Sequence, residues 1–225
     1  MNTISVFFTD SRELAKNGAM SLLAARYREF LVKEKGYCRP GDHKVIGRML
    51  LAYACKDTIA AGMYDRLCYT VTGKPFFKKG PFHFSISHAG DLILLAVSKR
   101  HPVGADVVEI CRMKNAASTY LHAEEADRRG RKDAQWMRYK SFIWARKEAF
   151  GKLSGEGIAA CSSRCNVLGR LLYENKTVRF FDRLFQGEYA CSIAAVAGAS
   201  KIVSLKIGAE ELLRSVAAYK NHLSL

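Results

Sequence analysis

Phe82-His83-Phe84-Ser85-Ile86-Ser87-His88-Ala89-Gly90-Asp91, running on into Leu92-Ile93-Leu94-Leu95-Ala96-Val97, is the stretch from which the fold is read. Phe82, Phe84 and Ile86 alternate with His83, Ser85 and Ser87, the period of two that a half-buried strand requires. Ala89-Gly90-Asp91 turns the chain, and Leu92 to Val97 follows as an apolar strand. His101-Pro102 breaks that strand, and Val103 to Ile110 is a third. Upstream, Met1 to Phe8 reads as a first strand. Ala19, Leu23, Tyr27, Phe30 and Leu31 recur at helical spacing, and a second helix runs from an N-cap at Asp42 through Val45, Ile46, Met49, Leu50 and Tyr53. Downstream, Glu124 to Arg131 is a charged helical segment. A stronger helix spans Asp133 to Leu153 and is stopped by Gly155 and Gly157. Strands follow around Val178 to Phe181, Tyr189 to Val196 and Ile202 to Ile207, and an amphipathic helix, Ala209 to His222, comes last. The expected class is α+β, not a doubly wound sheet. Two similar halves are expected, residues 1–105 and 106–225, each a small antiparallel sheet packed against helices. No Pro/Gly/Ser linker separates them.

Composition narrows the function. In 225 residues, 49% hydrophobic and 25% charged, there is material for a sizeable core and no sign of a disordered or fibrous chain. No apolar run reaches the eighteen or so residues of a membrane span. The N-terminus lacks the basic start of a signal peptide, so the seven cysteines are expected to be reduced in a cytoplasm. Cys161 and Cys165 form a close pair with no matching second pair, which is not a zinc pattern. Lys and Arg total 36 against 21 acids, a formal charge of +15. Such a surface attracts polyanions without choosing among nucleic acid, phosphate coenzymes, anionic membranes and acidic proteins.

Three segments carry candidate chemistry. His88 ends the first strand at a turn, where a histidine is either a solvated or capping group or a donor to phosphate. Asp106 interrupts the apolar run Val103-Gly104-Ala105-Asp106-Val107-Val108, and a buried carboxylate needs hydrogen bonds, a paired charge or a cation. Trp144, Glu148 and Lys152 lie along one stripe of a helix at successive four-residue steps. Glu148 and Lys152 are then either a surface ion pair worth about 0.3–0.5 kcal/mol or a carboxylate and a cation aimed at a ligand.

Four motifs occur in one order: Gly73-Lys74-Pro75, Ser85-Ile86-Ser87-His88, Val103-Gly104-Ala105-Asp106, and Trp144 to Lys152 followed by Gly155-Glu156-Gly157. In this the chain resembles the phosphopantetheinyl transferases of the surfactin-synthetase type. The resemblance implies a pseudodimer of two α+β halves with coenzyme A in the cleft between them. It further implies transfer of 4′-phosphopantetheine from coenzyme A to a serine of an acidic acyl or peptidyl carrier protein, releasing adenosine 3′,5′-bisphosphate. Asp106 and Glu148 would hold Mg²⁺ against the pyrophosphate, and Lys152 would bind the same phosphates. Ser87 and His88 would line the coenzyme site, His88 as a phosphate donor, and Lys74 and Pro75 would flank the adenine end. Glu148, directly or through water, would take the proton of the carrier serine. The large two-half form implies a monomer acting on a broad range of carriers, without nucleic-acid or membrane partners.

Two departures bear on these expectations. Many relatives carry a glutamate two residues after the first aspartate, where this chain has Val108. A regular strand would turn Glu109 to the opposite face, leaving a water to replace that ligand. Of the basic residues in the second helix, His43, Lys44 and Arg48, Lys44 is assigned to the coenzyme's 3′-phosphate. The rival classes are a basic nucleic-acid-binding protein, suggested by Arg128-Arg129-Gly130-Arg131-Lys132, and a metal-dependent nuclease built on Asp106, Glu109 and Glu148. The first lacks any accompanying helix-turn-helix, zinc-finger or aromatic RNA-binding motif. The second lacks a lysine two residues beyond the strand acid.

Overall fold

Strand periodicity and helix caps account for most of the architecture in a computed structural model of the chain. It describes residues 2–16, 43–55, 67–78, 80–114, 118–126, 133–158 and 162–214. In chain order the elements are β1 (Asn2–Asp10), α1 (Ser11–Lys16), α2 (His43–Cys55), β2 (Leu67–Tyr69), β3 (Pro75–Phe77), β4 (His83–Ala89), β5 (Leu92–Ser98) and β6 (Val103–Glu109). Then come α3 (Ala123–Ala126), α4 (Ala134–Ser154), β7 (Leu172–Tyr173), β8 (Lys176–Phe185), β9 (Tyr189–Val196) and β10 (Ala199–Lys206). The helix expected around Ala19 to Leu31 lies outside the described residues, as do Asp42 and the whole basic cluster at 128–132. Residues 209–214 are helical, at the start of the expected last helix.

The class is α+β. One four-stranded sheet has the order β10-β1-β5-β4, a second the order β6-β9-β8-β7, and β2 pairs with β3 as a hairpin. The second sheet is antiparallel throughout. The first is mixed, a departure from the antiparallel expectation: β10 returns from the far end of the sequence to pair in parallel with β1.

Side-chain alternation sorts the core into layers. Phe7, Phe84, Ile93 and Leu95 on one face of the first sheet pack against Val45, Ile46, Met49 and Leu50 of α2. The opposite face gives Ile4, Val6, Leu92 and Leu94, which meet Val103, Ala105, Val107, Cys191 and Ile193 of the second sheet. The outer face of the second sheet receives α4 through Ala149 and Leu153 against Val178 and Ala194. The order is therefore α2, sheet, sheet, α4. β5 is covered on both faces, which explains why Leu92 to Leu95 are apolar without alternation. Each such buried side chain contributes roughly 1.5–3 kcal/mol.

α4 begins at an Asp133 cap, whose carboxylate accepts the Trp136 amide at 2.9 Å, and it ends at Gly155, φ +80°, in a left-handed cap. It lies directly on β6, because Gly104 has no side chain. A Cβ there would stand 1.8 Å from the Ala149 carbonyl oxygen and 2.6 Å from the Leu153 nitrogen. Both of those are backbone atoms that no rotamer change can move. Gly104→Ala should therefore cost about 3 kcal/mol or more, read as a lowered urea midpoint at unchanged slope.

Candidate active site at the seam between the sheets

The two sheets meet along β4 and β6, and the serines of Ser85-Ile86-Ser87-His88 make the joint. β9 pairs with one edge of β6, leaving amides on the other edge to be satisfied. The Ala105 amide donates to Ser85 Oγ at 3.0 Å and the Val107 amide to Ser87 Oγ at 3.3 Å. The period of two that makes β4 half-buried thus also spaces two hydroxyls to match alternate amides of β6.

Ser87 makes further bonds. Its hydroxyl donates to Asp106 Oδ1 at 2.7 Å and accepts from Lys152 Nζ at 3.0 Å. Lys152 also reaches Asp106 Oδ1 at 2.7 Å. Asp106 is 6% exposed and the Lys152 side chain 25%, so the pair is held partly out of water at the mouth of the seam. The ion partner of Lys152 is thus Asp106, on the strand that α4 packs against, and not Glu148 one turn earlier on the same helix.

Glu148 is half-buried beside them. Burial, and then the charge of Asp106, push its carboxyl above the ordinary range, while Lys152 works in the opposite sense. Glu109 is placed elsewhere. The β6–β9 register runs unbroken from Val103 to Glu109, so no bulge redirects it. Its carboxylate instead accepts from Arg112 Nε at 2.8 Å and Cys111 Sγ at 3.2 Å.

The Gly73-Lys74-Pro75 turn joins β2 and β3, and Pro75 opens β3. Lys74 Nζ donates to the Val103 carbonyl at 3.1 Å and the Lys152 carbonyl at 2.5 Å. Thr72 Oγ1 donates to the Gly155 carbonyl at 2.9 Å. The hairpin is thereby fastened to the end of α4. At the start of α2, His43 lies 4.9 Å from the exposed His88 ring, and Lys44 is exposed beside it. Arg48 points inward, its Nη2 donating to the Tyr69 hydroxyl at 2.6 Å. The His43–His88 contact was not legible in the sequence, since neither residue stands in a shared motif.

Another pairing was missed. Lys147 and Glu125 are both fully buried and lie 3.0 Å apart. Glu125 also accepts the amides of His122 and Val167, each at 2.8 Å, and Lys147 donates to the carbonyls of Ser162 and Cys165. The only sequence signal was a second lysine adjoining Glu148.

Whether a hard divalent cation suits these residues can be judged from the donors. Asp106 and Glu148 are two carboxylates whose mutual repulsion a cation would relieve. The Ser192 hydroxyl, on β9 opposite Asp106, is fully buried without a hydrogen-bond partner among the described residues, so there is polar capacity to spare nearby. No group of three or more His, Cys, Asp or Glu gathers among the described residues. A cation would complete its shell from substrate oxygens and water, as magnesium habitually does. The residues fit.

No protein-family model matches the chain. Curated relatives do match. It is 34% identical over 119 residues to the 4′-phosphopantetheinyl transferase psf-1 of Bacillus pumilus, 51% of each chain. The 4′-phosphopantetheinyl transferase AcpT of Salmonella typhi is 38% identical over 119 residues, 48% of this chain and 56% of that one. A 4′-phosphopantetheinyl transferase of Bacillus subtilis is 31% identical over 90 residues, 39% and 40% of the two chains. Over these stretches the chain is similar to proteins named 4′-phosphopantetheinyl transferases. It spans about half the length of the curated relatives it matches. These partial similarities agree with the resemblance carried by the four motifs, three of which meet at Ser87, Asp106 and Lys152.

Two measurable consequences follow from these charges. Burial, and then the charge of Lys152, bring the Lys74 ammonium down to about 8 from the ordinary 10.5. Between those values the unfolded chain still holds a proton that the folded chain has released, so stability gains as pH rises through that window. Urea unfolding from pH 8 to 10.5 should show the stability of the wild type growing relative to Lys74→Met. Removing one member of the other buried pair, with Glu125→Gln or Lys147→Met, should cost about 3–5 kcal/mol. The two losses should not add in a double-mutant cycle.

Proposed function

We propose that the protein transfers 4′-phosphopantetheine from coenzyme A to a serine of an acyl or peptidyl carrier protein, forming holo-carrier and adenosine 3′,5′-bisphosphate. The observation that carries this reading is the meeting of Ser87, Asp106 and Lys152 at one point on three separate elements, with Glu148 beside them. The similarity to named 4′-phosphopantetheinyl transferases points to the same reaction.

The coenzyme would lie in the cleft between two halves, residues 1–105 and 106–225, arranged as a pseudodimer. Lys152 would turn its ammonium from Asp106 toward the pyrophosphate, where its charge offsets that of the phosphate oxygens. Lys74 and Pro75 would flank the adenine end, and His88, against His43 at the start of α2, and Lys44, the next residue of that helix, would face phosphate. Mg²⁺ held by Asp106 and Glu148 would supply positive charge at the pyrophosphate and polarise the phosphorus centre. Burial and Asp106 disfavour the charge of Glu148, and a bound cation would offset that. Glu148 would accept the proton of the carrier serine, directly or through water, as the serine oxygen bonds to the phosphorus and the bond to the adenosine bisphosphate breaks. The +15 charge would steer both an anionic coenzyme and an acidic carrier toward the seam. We place the enzyme in the cytoplasm as a monomer.

Incubation with Mg²⁺, coenzyme A and a panel of apo-carrier proteins, followed by intact-mass measurement, tests the reading. A phosphopantetheine-sized gain on at least one carrier, lost with chelator, is the expected result. Glu148→Gln should lower kcat by about 10²–10⁴ while the protein stays folded. A folded wild type that modifies no carrier and binds no coenzyme A would overturn the proposal.

A further inference from the structure

Resting on the transferase reading, we infer that Ser87 is a positioning residue for Asp106, and not a ligand of the coenzyme as the motif alone suggests. Ser87 is 5% exposed, and its hydroxyl is already committed to three groups. It donates to Asp106 Oδ1 at 2.7 Å, and it accepts from Lys152 Nζ at 3.0 Å and the Val107 amide at 3.3 Å. A hydroxyl has one proton and two lone pairs, so these bonds exhaust it. A phosphate oxygen is an acceptor and would need the one proton that Ser87 spends on Asp106.

The consequence lies in which carboxylate oxygen is left over. Ser87 and Lys152 both bond Oδ1, each at 2.7 Å from it. Neither bonds Oδ2. Ser87 in turn is fixed by the Val107 amide, one residue beyond Asp106 on the same strand. Hydroxyl, carboxylate and strand edge form a closed loop that sets the rotation of the carboxylate. Oδ2 is then the oxygen presented to a cation, and when Lys152 leaves for phosphate, Ser87 keeps Oδ1 in place. Ser85 offers an internal control. It makes the equivalent bond to the strand edge, with the Ala105 amide at 3.0 Å, and has no bond to Asp106.

Mn²⁺, read by electron paramagnetic resonance with coenzyme A bound, reports the cation site. Calorimetric titration of coenzyme A in EDTA reports the coenzyme site without a metal. Ser87→Ala should weaken Mn²⁺ by ~10–100-fold, the usual effect of removing the partner that orients a metal ligand. It should leave coenzyme A affinity in EDTA unchanged. Ser87→Thr, which keeps the hydroxyl, should recover much of the Mn²⁺ affinity, and Ser85→Ala should retain all of it. A loss of coenzyme A affinity in EDTA with Mn²⁺ intact would overturn the inference and make Ser87 a coenzyme ligand. Equal Mn²⁺ losses in Ser85→Ala and Ser87→Ala would also overturn it, reducing Ser87 to part of the seam. A wild type that binds neither coenzyme A nor Mn²⁺ would instead bring down the transferase reading on which this rests.

Discussion

The hydrogen bonds that run from two serines of β4 to the open edge of β6 are what the rest of the molecule depends on. A strand edge left inside a protein carries amides that must be satisfied, and a second backbone ladder is the usual answer. Here side-chain hydroxyls satisfy them, so two sheets abut without merging into one. Because a hydroxyl has capacity beyond one amide, Ser87 can extend the contact to Asp106 and Lys152. The same contact therefore joins the sheets and organises the charges at their junction.

Two lysines of α4 show how placement divides structure from chemistry. Lys147 is fully enclosed with Glu125, and each charge meets additional backbone groups. A pair satisfied on all sides has no partner to exchange for a ligand, and its use is to hold the 162–167 segment against the helix. Lys152, five residues on, sits at the mouth of the seam with a quarter of its side chain exposed. Asp106 balances its charge there. Glu148, between the two, is pressed by burial and by Asp106 toward holding a proton. Perturbed groups in a shared recess are a mark of functional sites, and here the perturbation has a named source.

The backbone around that recess is shaped by close approach. Gly104 lets β6 rest directly on the carbonyls of α4, which sets the height of Asp106 beneath Lys152. Gly155 ends the helix in a left-handed turn, and Thr72 of the hairpin fastens to it. Lys74, whose motif suggested a coenzyme contact, spends two of its donors on the carbonyls of Val103 and Lys152. It secures the hairpin to both β6 and α4.

Local pattern was enough for many of the described elements, though not for the short strands β2 and β7. The alternation of Phe82, Phe84 and Ile86, the unbroken run from Leu92, and the Asp133 and Gly155 limits of α4 all depend on interactions within a few residues. Such interactions are recorded in the chain itself. The candidate residues Asp106, Glu148 and Lys152, which the fold brings close together, could be singled out too, because a carboxylate within an apolar strand and charges at helical spacing stand out against their neighbours. Pairing across the chain was not legible. Nothing near Lys152 marks Asp106 rather than Glu148 as its partner, nothing near Glu125 marks Lys147, and nothing in β10 marks β1 as the strand it joins in parallel. Those choices belong to the tertiary structure, because the energy of a buried charge or an open strand edge is set by whatever the fold brings against it.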